Sequence, residues 1–311
     1  MKRALVFATN LFPVWVLLAG GIALNRPAWF TWFSGEWITW GLAVIMLGMG
    51  ITLGFEDFRA VLKMPRPVAI GFFAHYVIMP SLGWSIARAM RLDTPLAVGL
   101  VLVSCCPCGT ASNVVNYLAR SNVALSVLMT LCSTLGAIIM TPLLVKWLAG
   151  QYVPVDATGI FLSTVKIVLA PVLLGVLLNR YTPRMVRIVL PVCPLISVLA
   201  ITLICASIVG SSAADLRRSG GRLILAVLLL HSGGFLFGYL ASRLLCCDEL
   251  TSRTISVEVG MQNSGLGAAL ARQHFAQMPL AALPCAISAT FHSIIGSALA
   301  GIWRLRPVAK K

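Results

Sequence analysis

The sequence predicts an all-α integral membrane protein with ten transmembrane helices, arranged as two inverted repeats of five helices each. The first observation is composition, since 59% of the 311 residues are hydrophobic and only 11% are charged, whereas soluble domains carry about 25% charged residues. The second is length, because the apolar residues form runs of roughly 20, enough to cross a bilayer as a helix. The third is that short motifs recur in the two halves of the chain.

Ten apolar segments contain the predicted helices. They are residues 4–24, 37–54, 67–90, 95–118, 122–148, 157–179, 187–210, 222–245, 253–273 and 279–303. The first follows a basic start, as a secretory signal would, but it is long for a cleaved signal, and we expect it to be a transmembrane helix. Of the nine acidic residues, only Glu258 lies well inside a segment.

The basic residues indicate the orientation in the membrane. Ten helices place both termini on one side, and the predicted cytoplasmic side then holds most of the basic residues: Lys2, Arg3, Arg59, Lys63, Arg66, Arg120, Arg180, Arg184, Arg187, Arg243, Arg253, Arg304, Arg306, Lys310 and Lys311, against Arg26, Arg88, Arg91, Lys146, Arg217, Arg218, Arg222 and Arg272 outside. This excess predicts cytoplasmic termini. The net charge of +15 comes without a basic run or an RNA-binding motif, so no nucleic-acid partner is expected.

A weak internal repeat relates the two halves. The triplet Leu-Asn-Arg that ends at Arg26 recurs 154 residues later, and Leu-Ala-Arg that ends at Arg120 recurs 152 residues later. Five helices in each half would insert the second half upside down relative to the first. We therefore expect residues 1–150 to form one repeat and residues 151–311 the other, with binding sites near the midplane, as in secondary transporters.

Two predicted helices are interrupted at matching places in the two halves. The fourth segment contains CCPCGTASN at residues 105–113, and the ninth contains VEVGMQNSG at residues 257–265. Proline lacks a helix donor, and glycine tolerates unusual backbone angles, so both segments are predicted to be broken helices. Irregular backbone survives at this depth only where it faces protein or a watery cavity.

Glu258, in the second broken helix, needs a compensating partner. A bare carboxylate at the membrane centre costs on the order of 3 kcal/mol on insertion scales, and a bound cation would offset that cost. The neighbouring Ser, Thr, Asn and Gln side chains offer hard neutral oxygens that suit an alkali or alkaline-earth ion, and a single carboxylate favours a monovalent one. A protonated Glu258 satisfied by hydrogen bonds is the alternative.

Other reactive residues carry weaker signals. Cys105, Cys106 and Cys108 include a C-x-x-C spacing, but they lie in an apolar run without a second pair at zinc spacing, so packing between helices is the favoured interpretation. Among the histidines, His75 and His292 are the candidates for a functional role.

The motifs CCPCGTASNVVNYLARSNVALSVLMT and VEVGMQNSGLGAALARQHF together resemble the bile acid:sodium symporter family, and the chain length fits its ten-helix bacterial members. The resemblance implies a core domain with two crossing broken helices, the fourth and the ninth, and a panel domain against which the core moves, each domain built from both repeats. We expect a monomer in the lipid bilayer of the bacterial inner membrane.

The resemblance also implies two sodium ions bound behind the crossing of the broken helices. The first site would use Ser112, Asn113, Ser126, Thr130 and Glu258. The second would use Glu258, Gln262 and the main-chain carbonyls of Val259 and Met261, with His75 where relatives have a glutamine. Only a neutral imidazole can ligate a cation, and through one nitrogen, so this second site is expected to be weaker, pH-sensitive or proton-linked.

The substrate side of the family resemblance lies at Thr110, Asn263, His292 and Ser293, the last standing where relatives can have asparagine. Family substrates are organic anions, namely bile acids and other steroid conjugates, and smaller acids such as pantoate or pyruvate. We expect a small carboxylate as the physiological substrate, with bile acids entering an accommodating cavity.

The sequence therefore predicts a sodium-coupled symporter of organic anions that works by alternating access, and not an enzyme. The first alternative is a proton-coupled carrier or exchanger that uses Glu258 and His75, although such proteins often carry paired acids at the crossing. An intramembrane enzyme is disfavoured because no aspartate pair lies at membrane depth and the H-E-x-x-H and G-x-S-x-G motifs are absent. A channel is disfavoured because channels often build their pores from oligomeric rings.

Overall fold

The computed structural model describes Thr9 and residues 11–306, and this part of the chain is helical, with a single isolated β-bridge. Its α-helices are α1 (Phe12–Asn25), α2 (Glu36–Thr52), α3 (Phe55–Val61), α4 (Pro65–Ala89), α5 (Thr94–Ser104), α6 (Ser112–Leu118), α7 (Val123–Leu148), α8 (Ala157–Thr164), α9 (Ala170–Tyr181), α10 (Pro183–Val189), α11 (Cys193–Ser211), α12 (Ala213–Leu244), α13 (Glu249–Gly260), α14 (Ser264–His274) and α15 (Leu283–Leu305). A π-helical turn, Val165–Leu169, joins α8 to α9 without a break.

Six continuous helical stretches within the described residues are long and apolar enough to cross a membrane. They are Pro65–Ala89, Val123–Gln151, Ala157–Tyr181, Cys193–Ser211, Gly220–Leu244 and Pro279–Leu305. Shorter apolar helices occupy Phe12–Asn25, Glu36–Thr52 and Thr94–Ser104. The predicted all-α membrane class is thus confirmed, whereas ten membrane crossings and their inverted repeat stay predictions.

The helices pack into two groups. One group contains α1, α2, α9 and α11, which pack on one another, and we call it the panel. The other contains α4 to α7 and α12 to α15, which we call the core. The core buries most of the polar side chains discussed below, while the panel contributes mainly apolar ones. Both groups contain helices from each half of the sequence.

Two helix breaks meet at the centre of the core. Helix α5 ends at Ser104 and α6 begins at Ser112, while α13 ends at Gly260 and α14 begins at Ser264. The unwound segments form an antiparallel bridge, in which the Gly109 N–H donates to the Met261 carbonyl (2.9 Å) and the Asn263 N–H donates to the Pro107 carbonyl (2.8 Å). Each unwound segment thereby supplies hydrogen-bond partners for some of the backbone N–H and C=O groups of the other. Such pairing is required where no water is present.

Gly109 is required by the closeness of this bridge. A Cβ at this position would lie 2.6 Å from the Gln262 carbonyl oxygen and 3.1 Å from its carbon. These are main-chain atoms of the opposing break, so they cannot move away without disturbing the bridge.

The C-terminal end of α14 makes polar contacts with two panel helices, α11 and α2, and with α8. Three consecutive side chains there each meet a hydroxyl group on a different helix. Arg272 Nη2 donates to Ser211 Oγ (2.6 Å), Gln273 Nε2 donates to Thr39 Oγ1 (3.2 Å), and His274 Nε2 lies 2.9 Å from Ser163 Oγ. We call this set the α14 latch.

Substitution of Gly109 tests the backbone crossing. We expect Gly109→Ala to destabilise the protein by about 1–3 kcal/mol, the usual cost of overpacking, because its methyl group meets rigid backbone. Thermal unfolding in detergent would show this as a lowered Tm. Gly301→Ala is the matched control, since a Cβ there meets nothing within 4 Å, and equal Tm values for the two variants would contradict the prediction.

Candidate functional site

Glu258 lies fully buried in α13, with 0% of its surface exposed. Three neutral side chains donate hydrogen bonds to its carboxylate. Ser126 and Asn116 donate to Oε1, at 2.5 Å and 3.1 Å, and Thr130 donates to Oε2 at 2.9 Å. The ion pairs found within the described residues involve Glu249 rather than Glu258. The carboxylate is therefore held by dipoles alone, at a depth where burying a charge is costly.

The cluster around Glu258 has more acceptor atoms than protons. The Ser126 hydroxyl has one proton but lies within reach of two acceptors, Glu258 Oε1 (2.5 Å) and Asn113 Oδ1 (2.7 Å). Its own oxygen already accepts from Asn116 Nδ2 at 2.9 Å. Ser126 can serve only one of these two oxygens, while Asn116 also donates to Glu258 Oε1. Either a cation bound among these oxygens or a proton on Glu258 would supply the missing positive partner.

All five residues predicted for the first cation site lie in this cluster, namely Ser112, Asn113, Ser126, Thr130 and Glu258, and Ser112 Oγ is 3.4 Å from Thr130 Oγ1. Their role as cation ligands stays a prediction. The structure adds Asn116, which the sequence analysis missed. Its position four residues after Ser112 was a usable signal, since that spacing puts both side chains on one helical face.

His75 lies between the two broken helices and contacts both. Its Nε2 is 2.9 Å from the Cys106 carbonyl, and its Nδ1 is 3.2 Å from the Glu258 carbonyl and 3.4 Å from Cys108 Sγ. A neutral imidazole donates one hydrogen bond. The ring is satisfied if Nε2 donates to the Cys106 carbonyl and Nδ1 accepts from the Cys108 thiol. In that arrangement the Glu258 carbonyl receives no proton from His75.

The other residues predicted for a second cation site lie beside the crossing. The Gln262 side-chain Oε1 is buried without a hydrogen-bond partner, while its Nε2 donates to the Val259 carbonyl at 3.5 Å. The Met261 carbonyl accepts from the Gly109 N–H. An orphaned carbonyl oxygen, with the Glu258 carbonyl nearby on the same break, fits a hard cation. His75 would bring a nitrogen ligand that such ions prefer less.

Transition-metal chemistry finds little support in the described residues, where no group of three or more His, Cys, Asp or Glu side chains is placed to hold a metal ion. Cys105, Cys106 and Cys108 are buried free thiols. Their packing among the core helices agrees with the favoured interpretation of the C-x-x-C spacing.

A cavity of about 330 Å³ lies between the panel and the crossing. The predicted substrate residues Thr110, Asn263, His292 and Ser293 all line it. The panel contributes an apolar wall, which includes Phe12, Ile45, Met49, Val198 and Ile201. None of the described residues that line the cavity is an Asp, Glu, Lys or Arg, so a ligand here would meet dipoles and apolar surface rather than fixed charges.

The four predicted substrate residues differ in how free they are. The Asn263 side-chain oxygen accepts from the Leu266 N–H (3.1 Å) and so caps α14, and the Ser293 hydroxyl donates to the Ala289 carbonyl (2.6 Å). His292 Nδ1 is buried without a partner. His292 therefore offers a buried polar atom without a partner, while Ser293 already satisfies its proton within the helix.

A second buried histidine network lies on the cavity side of the break. His231 Nδ1 is 2.8 Å from the Gly260 carbonyl, its Nε2 is 2.7 Å from Ser288 Oγ, and Ser288 Oγ is 2.8 Å from Ser264 Oγ. The His231 ring meets the His292 ring edge to face at 5.3 Å. The sequence analysis missed this network. His231 follows His75 by 156 residues, close to the repeat offset, and that was the available signal.

Comparison with known proteins places these features in context. The sequence model described as "Sodium Bile acid symporter family" matches residues 39–218. The chain is 51% identical over 305 residues to "Probable sodium/metabolite cotransporter BASS2, chloroplastic" of Oryza sativa subsp. japonica, which covers 98% of this chain and 73% of that protein. It is 42% identical over 306 residues to "Uncharacterized sodium-dependent transporter YocS" of Bacillus subtilis (strain 168), covering 98% and 94%.

Among solved structures, the sodium proton antiporter MjNhaP1 from Methanocaldococcus jannaschii matches with a TM-score of 0.62 at 12% identity, covering 98% of this chain and 97% of that one. At this identity the likeness concerns the fold alone. The chain is thus a multi-pass membrane protein similar to transporters, and not to enzymes.

Asn116 offers a test of the polar cluster. We expect Asn116→Ala to lower the free energy of unfolding by about 1–3 kcal/mol, because it removes a donor to a buried carboxylate. Thermal unfolding in detergent measures the effect. Asn25→Ala is the control, since the Asn25 side chain is exposed and its hydrogen bonds, to the Gly21 carbonyl and from Arg217 Nη2, lie at the surface. An Asn116→Ala protein as stable as the control would show that this hydrogen bond does not support the site.

Proposed function

The chain belongs to the sodium bile acid symporter family, and on that premise we propose that it couples inward movement of sodium ions to transport of an organic anion by alternating access. The observation that carries the proposal is the buried Glu258 carboxylate among neutral oxygens, where the single Ser126 proton is shared between Glu258 and Asn113. This cluster lies against the same helix breaks that line the cavity.

Ser112, Asn113, Ser126, Thr130 and Glu258 are the ligands proposed for the first sodium ion. Their donor set supports this choice, because one carboxylate with neutral hydroxyl and amide oxygens suits a hard monovalent cation. Glu258, Val259, Met261 and Gln262 are proposed for a second ion, supported by the orphaned Gln262 oxygen. His75 completes that set or replaces a ligand in it.

The proposed substrate is a small carboxylate such as pantoate, with bile acids as larger alternatives. A cavity of about 330 Å³ is near the lower end of ligand pockets, which favours the smaller acids. Thr110, Asn263, His292 and Ser293 are the proposed contacts. The lack of a fixed cation among the described lining residues means that the anion would depend on hydrogen bonds and on the N-terminus of α14.

The predicted topology supports alternating access. The cavity lining includes Phe12, Thr52 and Leu118, which that topology places toward the cytoplasmic side. It places the C-terminal end of α14, with the α14 latch, toward the other side. We propose ten membrane crossings as inverted repeats of residues 1–150 and 151–311, cytoplasmic termini, a monomer, and a bacterial inner-membrane location, in an inward-facing arrangement.

The alternative function is proton coupling through Glu258 and His75. One observation bears on it directly: His75 contacts the main-chain carbonyl of Glu258, whereas the carboxylate bonds to Asn116, Ser126 and Thr130. Cys108 lies between the two side chains, since its Sγ is 3.4 Å from His75 Nδ1 and it also interacts with the Glu258 carboxylate. A proton relay between Glu258 and His75 would therefore pass through this thiol.

Uptake into proteoliposomes tests the coupling ion. We expect radiolabelled pantoate or taurocholate to accumulate only with an inward sodium gradient, and Glu258→Gln to reduce this uptake at least tenfold, because the amide removes the charge that offsets the cation. Ser252→Ala is the control, since Ser252 is a buried serine of the same helix whose hydroxyl has no hydrogen-bond partner. Uptake driven by a pH gradient and indifferent to sodium would instead establish the proton-coupled alternative.

Sodium binding itself is measurable without a substrate. We expect NaCl, compared with the chloride salt of a large organic cation, to raise the Tm of the wild-type protein, because a ligand that binds only the folded state stabilises it. Ser126→Ala should shift the half-saturating sodium concentration upward by about tenfold, and Ser252→Ala should leave it unchanged. Identical sodium curves for both variants would remove Ser126 from the site.

A further inference from the structure

We propose that Ser264 is a specificity-determining residue that selects organic anions carrying a hydroxyl group, and that His231 is the positioning residue that gives Ser264 this preference. The inference rests on the proposed transport function and adds a chemical requirement to its substrate. It depends on the direction of hydrogen bonds in the network that runs from Gly260 through His231 and Ser288 to Ser264.

The Gly260 carbonyl fixes the tautomer of His231. A carbonyl oxygen can only accept, so His231 Nδ1, 2.8 Å away, must carry the proton. The ring is fully buried, and its described hydrogen-bond partners, a carbonyl and a hydroxyl, are both uncharged. A buried imidazole without a carboxylate partner stays neutral, and its Nε2 is therefore a lone-pair acceptor.

The neutral ring then orders the two serines. Ser288 lies 2.7 Å from Nε2 and must donate its single proton to it. The Ser288 oxygen is left to accept at 2.8 Å from Ser264, whose own proton is thereby committed. Ser264 lines the cavity, and it presents only lone pairs there.

This polarity has a consequence for the ligand. A hydroxyl group beside Ser264 can donate to it, whereas a carboxylate oxygen there would face lone pairs and be repelled. The carboxylate is therefore expected away from Ser264, with the hydroxyl against it. An analogue without the hydroxyl leaves a largely buried acceptor unpaired, which is the kind of mismatch that gives strong discrimination.

The test uses a pair of acids that differ by one hydroxyl group on the same carbon skeleton. Sodium-driven uptake of radiolabelled 2-hydroxyisovalerate and isovalerate would be measured in proteoliposomes. We expect wild-type kcat/KM to favour the hydroxy acid by about tenfold, and Ser264→Ala to bring the ratio near one while isovalerate uptake persists. Ser252→Ala, on a buried serine outside the network, should keep the wild-type ratio.

His231 variants test the positioning role. His231→Leu should abolish the preference, whereas His231→Asn should retain much of it, because its amide offers one donor for Gly260 and one acceptor for Ser288. If His231→Leu does not fold, the Ser264→Ala ratio still decides. Equal wild-type uptake of both acids, or an unchanged ratio in Ser264→Ala, overturns the inference and leaves sodium coupling intact. Absence of sodium-driven uptake of either acid by the wild type counts against the proposed function itself, and the inference falls with it.

Discussion

The fold depends on one constraint, the need to pair backbone groups where two helices stop inside an apolar core. Water is not available there to satisfy them, and the breaks satisfy each other through the bridge between Cys108 and Gln262. The bridge requires Gly109 and fixes the approach of the two segments. It also sets the positions of the side chains on either side, since Glu258 lies two residues before the end of α13 and Ser264 begins α14. Any movement of one break is therefore a movement of both.

The two sides of this crossing differ in their proton balance. Around Glu258 one Ser126 proton lies between two acceptors, so the cluster is completed only by a bound cation or by a proton on Glu258. Around His231 each proton has one acceptor, from Gly260 through to Ser264, and the chain is complete with its last lone pairs turned toward the cavity. The Glu258 cluster therefore attracts a positive charge. The His231 network instead offers the cavity hydrogen-bond acceptors of fixed direction. Because both lie against the same helix break, occupancy of one would bias the geometry of the other, and this is how the proposed coupling would arise.

Much of the fold follows from local sequence rules, and the site follows from them only in part. Apolar run lengths placed the helices, because at membrane depth backbone hydrogen bonding leaves few alternatives. Pro107 and Gly109 marked one break, and Gly260 marked the other, through their backbone chemistry. The roles of Asn116 and His231 were not predicted, because they depend on hydrogen-bond partners far along the chain. Asn116 bonds to Glu258, and His231 bonds to Gly260. Spacing pointed to both residues, through Ser112 for Asn116 and through His75 for His231, but it did not identify their partners, and the sharing of the Ser126 proton needs the distances themselves.

Glu258 is the one buried acidic side chain among the residues that the structure describes, and this has an electrical consequence. A core loaded with two monovalent cations and one monovalent anion would cross the membrane with no net charge, since the Glu258 carboxylate completes the balance. An empty core that keeps Glu258 ionised would return with one negative charge. An inside-negative potential would then act on the return rather than on the loaded step, contributing up to about 2.3 kcal/mol per 100 mV toward the outward-facing state. The resting voltage of the cell would thus set how quickly the carrier is ready for its next cycle.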